Sequence, residues 1–190
     1  MSKITEIRWH GRGGQGAKTA SLLLADAAFN TGMYIQGFPE YGPERMGAPI
    51  TAYNRISDEP IRKHSNIYSP MFVVIVDDTL LECVPVSSGL KEDGAMIVNT
   101  HSPETLREKV DYKGRIFAID AKKISMETIG KYFPNTPMLA AVIAVSGIMD
   151  KDEFIKDMEE SLKHKFEHKP HVIEGNLAAI KRAINEVQEV

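Results

Sequence analysis

The segment IRWHGRGGQGAK, residues 7–18, decides the fold because it runs from a strand pattern through a glycine-rich loop into a helix. Residues 7–10 are typical of a short strand, and the glycines follow at once. Small and apolar side chains then recur at helical spacing from Ala17 to Ala28, and Gly32 is placed to end the helix. Residues 33–36 resemble a second strand, so the first 36 residues predict a βαβ unit with parallel strands.

The alternation of strand and helix patterns continues along the rest of the chain. Two extended segments flank a turn at residues 57–60 and predict a β-hairpin of residues 50–56 and 61–65. Further strands are predicted at 72–76, 95–99 and 115–120, and helices at 79–84, 138–149, 152–164 and 172–187. We therefore expect a single domain over residues 1–190. Its predicted fold class is α/β, a Rossmann-like three-layer sandwich with a mostly parallel sheet and an added antiparallel hairpin.

Composition and charge exclude several classes of protein. The 190 residues are 43% hydrophobic and 26% charged, which is ordinary for a globular protein and argues against disorder. The net charge of −3 supplies no general attraction for nucleic acid. The longest apolar run lies near residues 71–76, far below the roughly 20 residues of a membrane helix, and the first residues have no apolar signal core. We expect a cytoplasmic protein that binds neither nucleic acid nor membrane.

Cysteine and histidine usage argues against metal chemistry in this chain. The chain has one cysteine, Cys83, which cannot form a disulfide, a cysteine-rich zinc site or a four-thiolate iron–sulfur cluster within the chain. We predict that Cys83 is a small buried core residue. His164, His168 and His171 lie near one another in sequence without a metal-ligand spacing, so no metal site is predicted.

The glycine loop has the composition of a phosphate site. Gly11, Gly13 and Gly16 fit G-x-G-x-x-G between a strand and a helix, where free N–H groups and the helix dipole attract phosphate. The NAD fingerprint also needs an acid after the second strand, where this chain has Gln36. Lys18 is displaced by one residue from its Walker position, which argues against an ATPase. We therefore hypothesise that the glycine loop binds a phosphate-bearing ligand other than NAD. The alternative is that the glycines serve only to make a tight turn between the strand and the helix.

The second loop, residues 37–49, is long, irregular and rich in glycine and proline. Structureless loops of this length tend to be functional. Tyrosine, arginine and several prolines are typical of a surface that contacts a partner. We predict a subunit interface here rather than catalytic residues, formed by Glu40, Tyr41, Glu44 and Arg45.

Four separated blocks together resemble one known family. They are WHGRGGQGAK (9–18), FPEYGPERMGAP (38–49), YNRI (53–56) and PNTPML (134–139). In this order and spacing they resemble the gamma subunit of 2-oxoacid:ferredoxin oxidoreductases over essentially the whole chain. The second and fourth blocks look more like the pyruvate and 2-ketoisovalerate enzymes than the 2-oxoglutarate enzymes.

This resemblance implies a subunit of an oxygen-sensitive complex that is inactive alone. The complex oxidatively decarboxylates pyruvate or a related 2-oxoacid, transfers the acyl group to coenzyme A and reduces ferredoxin, or runs the reverse synthesis. It implies alpha and beta subunits that carry thiamine diphosphate with Mg²⁺, and a ferredoxin-like delta subunit that carries 4Fe–4S clusters. No catalytic residue, resident cofactor or metal is assigned to this chain.

The resemblance associates the glycine loop with coenzyme A, which is a substrate of the complex. The candidate binding residues are Gly11, Arg12, Gly13, Gly14, Gln15, Gly16, Lys18, Asn135 and Thr136. Cationic side chains bind phosphates through charge-assisted hydrogen bonds, and the last two residues are more simply explained as helix caps. Two other functions stay open from the residues alone, a free-standing NAD(P)-dependent oxidoreductase and an assembly module whose glycine loop binds nothing.

Overall fold

A computed structural model describes residues 4–40 and 46–190. Within these residues the chain forms one sheet of seven strands, in the spatial order β2-β3-β1-β4-β5-β6-β7. The strands are β1 (Thr5–Arg12), β2 (Tyr34–Pro39), β3 (Pro49–Ser57), β4 (Phe72–Ile75), β5 (Ala95–Asn99), β6 (Arg115–Ile119) and β7 (Gln188–Glu189). The α-helices are α1 (Ala17–Asn30), α2 (Leu106–Lys109), α3 (Ala121–Thr128), α4 (Asn135–Ser146), α5 (Lys151–Lys165) and α6 (Pro170–Glu186).

The sheet is mixed, with parallel strands at its centre and antiparallel strands at both sides. Strands β1, β4, β5 and β6 are parallel neighbours, whereas β3 pairs antiparallel with β1 and β2, and β7 pairs antiparallel with β6. Apolar side chains cover both faces. One face packs against α1, α3, α4, α5 and α6, and the other packs against a 3₁₀ turn at Asp78–Glu82 and against α2. The α/β prediction is confirmed.

The antiparallel hairpin lies elsewhere than predicted. It joins β2 to β3, with Tyr34 opposite Ser57 and Pro39 opposite Ala52, and it inserts β3 between β1 and β2. Residues 61–65 form no strand and are mostly exposed. That segment, IRKHS, has one apolar side chain, so it has no face to bury against the sheet. Strands β1 and β2 do run in the same direction, but they are not neighbours in the sheet.

The apolar helix α4 is confirmed as a core element, with residues 138–143 completely buried. It packs against α1, α3 and α6 and lies on β4, β5 and β6. Complete burial of one large apolar side chain stabilises the fold by about 1.5–3 kcal/mol, so this helix is a main source of stability. The helix spans residues 135–146, three residues earlier at each end than predicted.

Cys83 is exposed, so its predicted burial is wrong. The predicted helix of residues 79–84 is a short 3₁₀ turn that ends at Glu82. Leu80 enters the core from this turn, and the chain then turns outward, so that Cys83 reaches the surface.

In the described part of the chain, no helix combines the length and the apolar character that crossing a membrane requires.

Candidate functional site

The glycine loop lies at the carboxyl end of β1, and the geometry explains why three of its positions are glycine. A Cβ at Gly11 would stand 2.8 Å from the Cβ of Ala17, so this glycine lets β1 and α1 approach closely. Gly14 has a φ of 92° and Gly16 a φ of 87°, both in the left-handed region. Other residues rarely adopt that conformation. The loop therefore has a backbone conformation that would be strained if another residue replaced any of these three glycines.

The backbone N–H groups at the start of α1 are not satisfied by the loop itself. The N–H of Arg12 donates to Gln15 Oε1 (2.9 Å), and that of Gly13 donates to the Ala48 carbonyl (2.9 Å). No side chain caps α1, and within residues 4–40 and 46–190 no acceptor is found for the N–H groups of residues 16–19. Such groups, together with the helix dipole, favour an anion.

Gly16, Lys18 and Thr19 of this segment border a cavity of about 530 Å³, here called the glycine-loop cavity. Its wall includes residues 13–16 of the loop, Lys18 on the first turn of α1, and Asn135 at the start of α4. A Cβ at Gly16 would lie 3.1 Å from the Cβ of Asn135, so the amino ends of two helices meet at this point. Both helix dipoles add positive potential to the same cavity. Apolar side chains complete its wall: Met46, Ile50, Tyr132 and Phe133.

Asp77, directly after β4, anchors the glycine loop from outside. Its carboxylate accepts a hydrogen bond from the Gln15 amide, and the Arg12 guanidinium lies 3.5 Å away. It also accepts from the N–H of Thr79 (3.0 Å) and so caps the 3₁₀ turn at Asp78–Glu82. Burial acts to raise the pKa of Asp77, but the hydrogen bonds from Gln15 and Thr79 and the charge of Arg12 together lower it. Asp77 was not among the predicted site residues, because its contact with Gln15 joins positions 62 residues apart.

A second cavity of about 740 Å³ lies at the carboxyl ends of β4, β5 and β6, and is here called the strand-end cavity. Its polar wall comes from the residues that follow these strands, and from the first turn of α3: Asp77, Asp78, Asn99, Thr100, His101, Asp120, Lys122 and Lys123. In open α/β sheets, ligands bind in such a crevice outside the carboxyl ends of the strands. This cavity was not predicted from the sequence, although a polar residue at the end of each of three strands could have indicated it.

Tyr132 lines both cavities. Burial, followed by the nearby charges of Asp77 and Asp78, raises the pKa of its phenol. The phenol is therefore protonated at neutral pH and can donate a hydrogen bond. The two cavities are adjacent, because they share this side chain and because Gln15 on the wall of one is hydrogen bonded to Asp77 on the wall of the other. The adjacent cavities together are here called the crevice.

The structure brings together most of the predicted binding residues. Gly13, Gly14, Gln15, Gly16, Lys18 and Asn135 line the glycine-loop cavity. Gly11 is buried beneath it. Arg12 instead donates to Thr79 Oγ1 (2.8 Å) and the Gly47 carbonyl (3.1 Å).

Thr136 lies away from the glycine-loop cavity. It is buried, and its hydroxyl donates to Asn176 Oδ1 (3.2 Å) on α6. The prediction that Asn135 and Thr136 cap α4 is wrong, since Pro134 occupies the cap position and no side chain caps this helix. Both residues belong to the first turn of the helix itself, beyond the position from which a side chain can cap it.

Of the predicted interface residues, Tyr41, Glu44 and Arg45 lie outside the described residues. Glu40 is exposed, and its carboxylate accepts a hydrogen bond from the Tyr53 phenol (2.8 Å). Large apolar side chains are also exposed around the crevice: Met46, Met126, Tyr132 and Phe133. This rim has the apolar and aromatic character of a protein interface.

His10, on β1 next to the glycine loop, is buried and hydrogen bonded. Its Nε2 accepts a hydrogen bond from Arg8 Nε (3.0 Å). Arg8 Nη2 donates to the carbonyls of Val86 (2.9 Å) and Ser88 (2.6 Å). Burial and the Arg8 charge lower the pKa of His10 to about 3. The imidazole is therefore neutral near pH 7 and supplies no positive charge to the site.

Comparison with known proteins gives consistent matches over the whole chain. The family described as pyruvate ferredoxin/flavodoxin oxidoreductase matches residues 6–186. The pyruvate synthase subunit PorC of Thermotoga maritima is 46% identical over 187 residues, covering 98% of this chain and 96% of that protein. The pyruvate/ketoisovalerate oxidoreductases common subunit gamma of Pyrococcus abyssi is 45% identical, covering 97% and 98%.

Solved structures agree with these sequence matches. The crystal structure of the Thermotoga maritima subunit PORC superposes with a TM-score of 0.86 at 42% identity, covering 98% of each chain. A 2-oxoglutarate:ferredoxin oxidoreductase from Magnetococcus marinus, whose structure contains coenzyme A, gives a TM-score of 0.68 at 18% identity. It covers 95% of this chain and 30% of that one, and this likeness concerns the fold.

Proposed function

We propose, from the premise that this chain belongs to the pyruvate ferredoxin/flavodoxin oxidoreductase family, that its glycine loop binds the pyrophosphate of coenzyme A. The chain is a gamma subunit of a pyruvate or 2-oxoacid:ferredoxin oxidoreductase, an enzyme of several subunits. The enzyme converts a 2-oxoacid and coenzyme A to an acyl-coenzyme A. A subunit with a pyrophosphate site would hold the thiol substrate for that step.

One observation carries the proposal. The N–H groups of residues 16–19 at the amino end of α1 are uncapped, and Gly16, Lys18 and Thr19 line the glycine-loop cavity. A pyrophosphate oxygen accepts hydrogen bonds from such groups at almost no reorganisation cost, because the loop already holds them in place. Lys18 adds an ammonium group, and the amino end of α4 adds a second helix dipole. The coenzyme A complex of the Magnetococcus marinus enzyme agrees with this choice of ligand.

The proposed role of this chain is to bind and orient coenzyme A, while other subunits perform the redox chemistry. Alpha, beta and ferredoxin-like delta subunits would hold thiamine diphosphate with Mg²⁺ and 4Fe–4S clusters, and these groups would supply the decarboxylation and electron-transfer chemistry. The single cysteine of this chain agrees with clusters bound elsewhere. Ferredoxin is the proposed electron acceptor of the complex.

The proposed contact with other subunits is the exposed rim of the crevice. Met46 is 92% exposed and Phe133 is 49% exposed, so both side chains are available to a partner. Glu40 and the predicted interface residues Tyr41, Glu44 and Arg45 belong to the same loop as Met46. Contact here would close the crevice and keep the thiol end of coenzyme A near the partner's acyl group.

The experiment is to reverse the charge of Lys18 in the assembled complex. Lys18→Glu changes an exposed side chain at the cavity wall, so the fold of α1 is preserved. We expect the KM for coenzyme A to rise about tenfold or more, because one charge-assisted hydrogen bond to phosphate is lost and a repulsive charge is added. The KM for pyruvate should stay the same.

The matched control is Lys113→Glu, an exposed lysine before the amino end of β6, at the opposite end of the strands from the crevice. It should leave both KM values unchanged. An unchanged KM for coenzyme A in Lys18→Glu, with full assembly of the complex, would favour a loop that only turns the chain.

A further inference from the structure

The strand-end cavity is adjacent to the proposed pyrophosphate site. Tyr132 lines both cavities, and the Gln15–Asp77 hydrogen bond joins their walls. Coenzyme A is too large for the 530 Å³ of the glycine-loop cavity to enclose it completely. A part of the ligand adjacent to the pyrophosphate therefore has 740 Å³ of further space in the strand-end cavity.

The carboxylates of the strand-end cavity are already paired with donors of the protein. Asp77 accepts from Gln15 and Thr79, and Asp78 accepts from the Thr100 hydroxyl (2.8 Å). Asp120 caps α3 by accepting from the N–H of Lys123 (2.8 Å). These acids are thus occupied in holding the strand ends and α3 in place.

The two lysines of the strand-end cavity have no such partner. In the described part of the chain, neither Lys122 nor Lys123 forms an ion pair, and both line the cavity from the first turn of α3. Their position is fixed by Asn99, whose buried side chain accepts from the N–H of Ala121 (2.9 Å) and donates to the Val76 carbonyl (2.9 Å). Two lysines on the wall of one cavity, at the start of a helix that Asn99 holds in place, suit a phosphate.

We propose that the strand-end cavity is the subsite for the adenosine 3′-phosphate of coenzyme A, with the phosphate at Lys122 and Lys123. This inference rests on the proposed function of the glycine loop. The 3′-phosphate is the one charged group of coenzyme A outside the pyrophosphate, and it belongs to the ribose that carries the pyrophosphate. With the pyrophosphate at the glycine loop, the 3′-phosphate would lie close to it, and Lys122 and Lys123 line the adjacent cavity.

Tyr132 suits the base of the same nucleotide. Its ring is 41% exposed at the boundary of the two cavities, and an aromatic ring there provides a stacking surface for adenine. The uncharged pantetheine arm then leaves the glycine-loop cavity past its apolar wall of Met46, Ile50 and Phe133.

The experiment compares coenzyme A with 3′-dephospho-coenzyme A in the assembled complex. In the wild type we expect a KM for the dephospho form that is about tenfold or more higher, because the charge-assisted hydrogen bonds to the 3′-phosphate are lost. In Lys122→Ala/Lys123→Ala the KM for coenzyme A should rise to that of the dephospho form, and the ratio of the two should fall to about one. Arginine at both positions should restore part of the discrimination.

The matched control is Lys109→Ala/Lys113→Ala, which removes the same charge before the amino end of β6 and should leave the ratio as in the wild type. Alanine keeps α3 helical, because it has the highest helix propensity. Equal KM values of the wild type for coenzyme A and its dephospho form would overturn the subsite. So would a KM ratio that falls to one in Lys18→Ala but keeps its wild-type value in Lys122→Ala/Lys123→Ala. If Lys18→Glu also leaves the KM for coenzyme A unchanged, the proposed function fails with it.

Discussion

Individual partly buried polar residues hold the glycine loop in shape. Gln15 is the clearest case, since its side chain accepts from the N–H of Arg12 on one side and donates to Asp77 on the other. Removing either contact would leave a partly buried polar group without its partner, which costs about 1–3 kcal/mol. The shape of the site therefore depends on residues that the ligand itself need not contact.

His10 gives a pH dependence to the stability of the chain. Its pKa is about 3 in the folded state against an ordinary 6.5, so below pH 6.5 the unfolded chain binds a proton that the folded chain does not. The free energy of unfolding should then fall by up to about 1.4 kcal/mol per pH unit between pH 6 and 4 from this group. In His10→Gln, whose amide oxygen can still accept from Arg8, this part of the slope should disappear.

Urea denaturation of the purified chains at several pH values measures this difference. His64→Gln is a suitable control, because His64 is exposed. Equal slopes for the wild type and His10→Gln would show that the imidazole is protonated in the folded chain.

At the scale of elements, β1 and α1 pack at a distance that only glycine allows. In Gly11→Ala the new methyl group would meet the Cβ of Ala17 at 2.8 Å, and α1 would have to move. We expect the free energy of unfolding to fall by about 1–3 kcal/mol, as for overpacked cores. The KM for coenzyme A should rise as well, because the first turn of α1 carries the N–H groups of the site.

The double variant Gly11→Ala/Ala17→Gly tests the cause of that loss. Removing the methyl group of Ala17 reopens the space, so part of the lost stability should return. Calorimetric unfolding measures both variants. If the double variant is less stable than Gly11→Ala by the full cost of a helical glycine, about 1 kcal/mol, steric contact is not the cause.

Local signals predicted the elements well, and long-range pairing did not follow from them. The strand of residues 95–99 has the predicted bounds, since a continuous apolar run between turns defines it. The segment AKKISMET of α3 has a weak apolar pattern, and its helix depends on the Asp120 cap and on packing against α4 and α6. The glycine loop was predictable because its chemistry lies in consecutive residues. The strand-end cavity combines residues from three strand ends, and only the fold assembles them.

At the scale of the whole molecule, the helices are distributed unevenly and leave the crevice rim open. Five helices pack on one face of the sheet, yet Met46, Tyr132 and Phe133 at the edge remain exposed. In a subunit of a larger complex, such a rim is the expected place for partner contact.

Charge placed on this rim should weaken assembly without weakening the fold. We expect Met46→Asp/Phe133→Asp to reduce association with the partner subunits at least tenfold, because a carboxylate would be buried against apolar surface. Copurification and titration with the partner subunits measure the association. Phe29→Asp is the control, since Phe29 is 70% exposed on α1 and does not belong to the rim. Equal association of the rim variant and the wild type would place the interface elsewhere.

The bond between Gln15 and Asp77 joins the walls of the two cavities, so one substitution should affect both ends of a molecule that occupies the whole crevice. Two fragments of that molecule, each measured alone, should both bind more weakly to Gln15→Ala than to the wild type, because the variant loses a contact on which both walls depend.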